Sequence, residues 1–349
     1  MMLYSRKQID KAGQVMLSSK DTVEVEQAVA IIDDWRQNHL PVLKMLGETL
    51  SDLFVKNDVV YLFTSQRLKR MTSIQDKLDK KPDMKLGGLN DIGGLRYVFS
   101  DTDSVYKAIK AILENKIVGF ELLPQLVANP EQYDYIKSPA KSGYRSVHLV
   151  FKCINSDERY EGLRVELQLR TKLQHNWATA VESGEVITHQ ALKNSEGPIE
   201  WLEFFKIASA LFSLEENCPL LKEYTTCDIE TLKNSLMDLE EKAKCVTMLK
   251  AFKSALQLIE NSNYDTEYYL LYVDYEKRIV NVAPYAIEQQ AEASLRYNEL
   301  EKKIETPNNA VVLVSAASLK DLREAYPSYF IDTSEFLEQI ESCLNTIKS

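Results

Sequence analysis

One eight-residue stretch, RVELQLRT at 164–171, alternates between two kinds of side chain, with Arg164, Glu166, Gln168 and Arg170 on one side and Val165, Leu167 and Leu169 on the other. Successive side chains of a strand point to opposite faces, so this period-two pattern predicts a strand that must bury its Val/Leu face. The chain therefore needs a sheet with one apolar and one charged side. Two cations, an acid and an amide along one face suit an anion site that contains a metal; they also describe a solvent-facing strand whose charges neutralise one another.

The surrounding segments supply the rest of such a sheet. LRYVF (95–99) reads as a strand followed by a helix through VYKAIKAIL, with Asp101 or Asp103 as N-cap. VHLVFKC (147–153) and LRVELQL, separated by the turn NSDERYEG, read as a hairpin, and a helix begins at Thr171. Apolar spacings of three and four predict helices over residues 1 to about 80, including VEQAVAIIDDWRQNHL and LFTSQRLKRMTSIQDKL. A helical block from EWLEFFKIASALFSLEE reaches about Asn261. After it come a hairpin (YYLLYVDYEKRIVNVAPY), a helix (AIEQQAEASLRYNELEKKIE), the strand AVVLVSA and two last helices broken at Pro327. The expected fold class is α/β (α+β): a mixed sheet flanked by helices, with a smaller C-terminal α+β domain. The expected segments are N-terminal helices 1–60, an α/β domain 61–195, a helical linker 196–262 and a terminal domain 263–349.

Composition narrows the classes. With 45% hydrophobic and 27% charged residues the chain of 349 is an ordinary globular one, not a disordered one. Its longest apolar run, AVVLVSAA at 310–317, falls short of the ~20 residues that span a bilayer, and its first residues lack an apolar signal core, so a cytoplasmic location with no membrane partner is expected. Five Cys fit reduced thiols. Cys218, Cys227 and Cys245 lack the short paired spacing of zinc ligands, and no His follows position 189, so no zinc is expected. The net charge of −10 argues against a polyanionic partner, but it is unevenly spread: residues 1–195 hold 27 Lys and Arg against 25 Asp and Glu, the remainder 15 against 27. Residues 67–85 carry seven Lys and Arg against three Asp, a cationic strip able to face polyphosphate.

Three further clusters bear on chemistry. Arg67, Lys69, Ser73 and Lys77, expected on a helix and the turn beside it, suit a polyphosphate, with Arg as a planar donor and Lys as point charge; a solvated basic face has the same spacing. In NDIGGLRYVF, Asp91 before a strand can hold a magnesium ion, Arg96 lies at the strand's start, and Gly93 and Gly94 permit close backbone approach; a simple turn reads the same way. In YDYIKSPAKSGYRSVH, Tyr144 after Gly143 can stack on a base or pack on the sheet, and alternation places Ser146 and His148 on the face opposite Val147 and Leu149, with His148 toward a cleft.

Taken in order, these segments resemble the synthetase domain of the RelA/SpoT family over about residues 60 to 185. The resemblance implies transfer of pyrophosphate from ATP to the 3′-hydroxyl of a ribose. Arg67, Lys69, Ser73, Lys77 and Arg96 are implied to grip ATP. Asp91 and Glu166 are implied to bind Mg2+, with Glu166 alternatively the base for the attacking hydroxyl. Tyr144 is implied to stack on the acceptor base, with Lys141, Ser142, Arg145, His148, Gln168 and Arg170 on the acceptor side. None of the four His is followed by Asp, so the hydrolase half of the long family members is not expected. Guanosine-acceptor members read Pro-Lys-x-Asn-Gly-Tyr where this chain has Pro139-Ala140-Lys141-Ser142-Gly143-Tyr144. Serine lacks the amide's separate donor and acceptor, which puts guanine recognition in question and favours the 3′ CCA end of tRNA, as in the toxic branch, over GTP or GDP. A nucleotide- or phage-protein-binding sensor without activity is the remaining alternative. The acidic C-terminal part loosely resembles that of fused toxin-antitoxin synthetases such as CapRel, which implies restraint of the catalytic domain and a phage protein as trigger.

Overall fold

Three apolar strand faces, Leu95/Tyr97/Phe99, Val147/Leu149/Phe151 and Val165/Leu167/Leu169, are each at most 6% exposed and together form one side of a five-stranded sheet. The structure is a computed structural model that describes residues 4–69, 71–123, 132–154, 157–188, 190–260, 268–274, 279–303, 309–315 and 329–345. His189, Asn261, Pro327, residues 155–156 of the NSDERYEG turn and part of the stretch before Tyr133 lie outside the described residues. The chain divides into two compact units, residues 1–136 with 146–172, and residues 137–145 with 173–349.

In the first unit the strands β1 (Phe63–Leu68), β2 (Gly93–Phe99), β3 (Phe120–Leu122), β4 (Val147–Cys153) and β5 (Arg164–Thr171) lie in the order β1-β2-β5-β4-β3. Only β2 and β5 run parallel; the other neighbours are antiparallel, and β4 and β5 form the expected hairpin. Helices α1 (Arg6–Ser18) and α2 (Thr22–Gln37) precede α3 (His39–Lys56), and α4 (Met71–Asp79) and α5 (Thr102–Glu114) follow β1 and β2. The apolar sheet face packs on α3 and α5. Val42, Leu43, Leu46, Leu50 and Phe54 of α3 recur at helical spacing and are fully buried. Tyr97 spends its hydroxyl on this contact, donating to the Gly47 carbonyl at 2.9 Å with Ser51 Oγ at 2.9 Å, so the buried oxygen is satisfied. Helix α5 starts at the expected cap: the Asp101 carboxylate accepts from the Ser104 amide at 2.7 Å.

The helix expected through LFTSQRLKRMTSIQDKL is corrected. Residues 63–68 are strand β1, and only Met71–Asp79 is helical. The segment's apolar spacing alone reads as helical, and pairing decides it: β1 is antiparallel to β2 over six residues, and its amides are satisfied there instead of within a helix.

In the second unit the helix Ile199–Glu215 is apolar nearly all round and forms the centre of the core. Trp201, Phe204, Phe205 and Phe212 pack with Trp177 of the helix Lys172–Thr188 and with Phe336 of the helix Tyr329–Asn345, whose ring lies 5.7 Å from Phe212. Trp177 is fixed by donating its indole N–H to the Phe205 carbonyl at 2.7 Å. The predicted hairpin and strand near the C-terminus form an antiparallel sheet of Tyr268–Asp274, Ile279–Tyr285 and Asn309–Ser315, with Tyr268–Asp274 in the middle. The aromatic core thus joins residues early and late in this unit.

Candidate active site

The polar face of the first unit's sheet gathers most of the expected residues. Asp91 precedes β2, and its Oδ2 accepts from Lys69 Nζ at 3.0 Å and Lys77 Nζ at 2.7 Å. Lys69 is placed by β1, whose ladder it extends by donating its amide to the Ile92 carbonyl at 2.8 Å. Lys77 and Ser73 lie on α4, one turn apart, whereas Arg67 lies on β1 opposite Gly94. Burial by itself would raise the Asp91 pKa, but Lys69 and Lys77 outweigh both burial and the neighbouring Glu166 charge and hold the carboxyl below its ordinary range. Burial pushes the Lys69 amine down from its ordinary value, against the pull of Asp91.

Strand register brings Glu166 to the same place. In the parallel β2–β5 pair Gly94 is opposite Glu166 and Arg96 opposite Gln168, while His148 of β4 flanks Gln168 on the other side. Gly94 carries no side chain between Arg67 and Glu166; a Cβ there would meet Arg67 Cγ at 3.4 Å. Glu166 Oε2 accepts from Gln168 Nε2 at 2.8 Å, and Oε1 lies 3.4 Å from His148 Nδ1. Burial opposes ionisation of Glu166, but His148, Gln168 and Arg67 together hold its carboxyl well below the ordinary carboxylate range. The Gln168 oxygen accepts from Arg170 Nη2 at 2.6 Å and faces Arg96 Nη2 at 3.5 Å, which fixes its amide nitrogen toward Glu166. Arg96, Gln168 and Arg170 are all buried on this polar face.

Residues 141, 142, 144 and 145 belong to the second compact unit, where they form a turn. Gly143 adopts φ +92°, and a Cβ there would stand 2.9 Å from Ser209 Cβ and 3.3 Å from the Trp177 ring, so glycine is required on both counts. Lys141 is exposed, Ser142 half-buried, and the half-buried Tyr144 ring lies 6.4 Å from that of Trp177. Arg145, by contrast, is 3% exposed, donating from Nε to Ser209 Oγ at 3.2 Å and from Nη2 to the Pro219 carbonyl at 2.7 Å. Its guanidinium anchors the turn.

Three participants escaped the sequence reading. Asn90 accepts from Arg164 Nη1 at 2.9 Å, tying the residue before Asp91 to β5. Tyr135 sets its ring edge-on to His148, with centroids 5.2 Å apart. Ser209 and Ser213 are buried hydroxyls in a largely apolar helix; Ser213 spends its proton on the Ser209 carbonyl within the helix, whereas Ser209 finds its partners outside it, and a buried hydroxyl's need for a partner was a readable signal.

The donor set fits a hard divalent cation. Asp91 Oδ2 is occupied by lysines, but its buried Oδ1 has no hydrogen-bond partner, and the Asp91 and Glu166 charges act on each other unfavourably. Two hard-oxygen carboxylates with one unsatisfied oxygen suit Mg2+, whose other positions go to water and phosphate.

Residues 66–186 match the protein family described as the region found in RelA / SpoT proteins. The chain thus carries a RelA/SpoT-type region. The chain is 27% identical over 165 residues to the GTP pyrophosphokinase YwaC of Bacillus subtilis, covering 43% of the chain and 73% of YwaC. It is 35% identical over 112 residues to a probable chloroplastic GTP diphosphokinase of rice, RSH3, of which it covers only 13%. Among solved structures, the small alarmone synthetase 1 of Bacillus subtilis bound to its product pppGpp is similar at 23% identity and a TM-score of 0.41, over 53% of this chain and 94% of that one. A GTP pyrophosphokinase family protein from Streptococcus pneumoniae is similar at 20% identity and a TM-score of 0.43, over 62% and 98%. Among the described residues no helix is long and apolar enough to cross a membrane.

Proposed function

We propose that this pyrophosphokinase moves the β,γ-pyrophosphate of ATP onto the ribose 3′-hydroxyl of a guanine nucleotide, making a (p)ppGpp-type product. The observation that carries the reading is that Asp91, just before β2, and Glu166, on the neighbouring β5, act on each other electrostatically, with Lys69, Lys77 and Arg67 around them. The names of the curated relatives support the guanine acceptor.

The chain's own residues serve positioning and charge neutralisation, which is most of what phosphoryl-type transfer requires. Lys69, Lys77 and Arg67 receive the triphosphate, and Arg96 supplies a further fixed cation on the same face. Asp91 and Glu166 would hold Mg2+, which would supply charge neutralisation for the phosphates. The acceptor 3′-oxygen attacks the β-phosphorus while the bond from that phosphorus to the oxygen bridging it to the α-phosphate breaks. AMP leaves with the bridging oxygen, and the hydroxyl proton passes to water, because Glu166, bonded to Gln168 and held well below the ordinary carboxylate range, is suited to be a metal ligand and not a base. Lys141, Ser142 and Tyr144 receive the acceptor, Tyr144 by stacking.

A second acceptor, the 3′ CCA end of tRNA, is favoured by Ser142, which offers one hydroxyl where an amide would read the guanine edge. Such transfer would block translation. Incubating the protein with γ-labelled ATP and either GTP, GDP or total tRNA, then resolving the products, tests both: label on GTP or GDP supports the first reading, label on tRNA the second, and label on none rejects pyrophosphate transfer to either.

A further inference from the structure

We infer that Ser209, outside the stretch that matches the family, is the positioning residue that sets the acceptor turn and thereby acceptor affinity. The inference rests on the reading of Lys141–Tyr144 as the acceptor turn.

Ser209 sits on the helix Ile199–Glu215, 2% exposed, with its Oγ placed between two groups of the turn. It donates to the Gly143 carbonyl at 2.6 Å and accepts from Arg145 Nε at 3.2 Å. A hydroxyl has one proton to give, and here it goes to the peptide preceding Tyr144. Arg145 completes the clamp by donating to the Pro219 carbonyl beyond the same helix at 2.7 Å. Inside the turn, Gly143 N–H donates to the Ala140 carbonyl at 2.8 Å and Ala140 N–H to the Tyr144 carbonyl at 3.1 Å. These local bonds shape the turn, but Ser209 and Arg145 fix it to the core. Trp177 closes the remaining side, 3.3 Å from where a Gly143 Cβ would stand. The turn therefore has one seat, and the Tyr144 ring one direction. A ring that stacks on a base gains affinity from being held in advance, since its ordering is not a cost of binding.

Steady-state transfer from ATP to GTP and, separately, to total tRNA is measured for the unmodified full chain, Ser209→Ala, Arg145→Lys and Tyr144→Ala, with amide exchange followed over residues 137–145. Ser209→Ala is expected to raise acceptor KM about tenfold and speed exchange in the turn, leaving ATP KM and the rate at saturating acceptor near their original values. Arg145→Lys cannot reach both of its acceptors, so it shifts acceptor KM in the same direction and serves should Ser209→Ala not fold. An unchanged acceptor KM in both clamp variants, with a raised one in Tyr144→Ala, overturns the role of Ser209 alone. Loss of rate with unchanged acceptor KM overturns it too, because that is what a merely destabilised core gives. An unchanged acceptor KM in Tyr144→Ala, or no transfer by the unmodified protein to either acceptor, removes the acceptor reading and this inference with it.

Discussion

Gln168 donates its amide to Glu166 at 2.8 Å while two arginines, Arg170 and Arg96, face its oxygen. The amide is thus a rigid spacer that carries the order of a buried cation pair to the carboxylate at the reacting end. Gln168→Glu keeps size and the bonds to the arginines but sets a carboxylate against Glu166. A loss of about 10- to 100-fold in kcat is expected, the range for groups that orient ligands and bases. Steady-state kinetics with ATP KM held under observation checks it; an unchanged kcat denies Gln168 this part.

Asp91→Asn preserves shape and removes the charge that Lys69 and Lys77 share. Transfer is expected to fall below detection, as it is for Glu166→Gln, with circular dichroism unaltered. Titration with Mn2+ in the presence of a non-hydrolysable ATP analogue should show weakened metal binding in both variants. Retained turnover in either purified variant rejects the carboxylate pair as the metal site.

His39 gives a pH dependence outside this cluster. It is 1% exposed, packs edge-on against Trp35 and has its Nδ1 3.0 Å from the Trp35 carbonyl. Burial pushes its pKa from the usual 6.5 down to about 4. A group whose pKa is depressed on folding stabilises above its unfolded pKa and ceases to do so as pH falls toward the folded one. Stability should therefore drop from about pH 6.5 downward and level near pH 4, by about 3 kcal/mol in total at 1.36 kcal/mol per unit. Urea unfolding of the protein and of His39→Leu between pH 7 and 5 isolates the effect, since the variant should lose this slope.

Gly143→Ala meets two penalties, a side chain at φ +92° and a Cβ 2.9 Å from Ser209. A left-handed residue costs roughly 1–2 kcal/mol and overpacking typically about 1–3 kcal/mol. A fall in unfolding free energy of about 2–5 kcal/mol is expected, against a few tenths for Gly119→Asn, where nothing lies within 4 Å and asparagine tolerates positive φ. Equilibrium denaturation decides.

Phe336→Ala should cost about 3–5 kcal/mol, as for a large core aromatic. The side chain is fully buried among Phe204, Phe205 and Phe212, so removing the C-terminal helix would strip the central helix of a packing partner. Thermal denaturation measures the loss.

The sheet and most of its polar face were legible because they rest on local patterns. Alternation in RVELQLRT and VHLVFKC, and a cap such as Asp101, are written in a few consecutive residues. Strand β1 was not, since FTSQRL gains its structure from pairing with β2, 30 residues on, and its own pattern also admits a helix. The family resemblance placed Tyr144 and Arg145 together, and only packing separates them: one ring is half-buried beside Trp177, the other side chain sunk between Ser209 and Pro219. Ser209 lies 66 residues from Gly143, a separation over which no periodicity speaks.

The bond from Ser209 to Gly143 means that the turn is inherited with its own scaffold. Asp91, Glu166 and their lysines are folded by one compact unit, while Lys141–Arg145 are folded by the other. In the proposed reading, a lineage can swap what receives the pyrophosphate by rewriting one module and leave the transfer machinery of its sibling untouched.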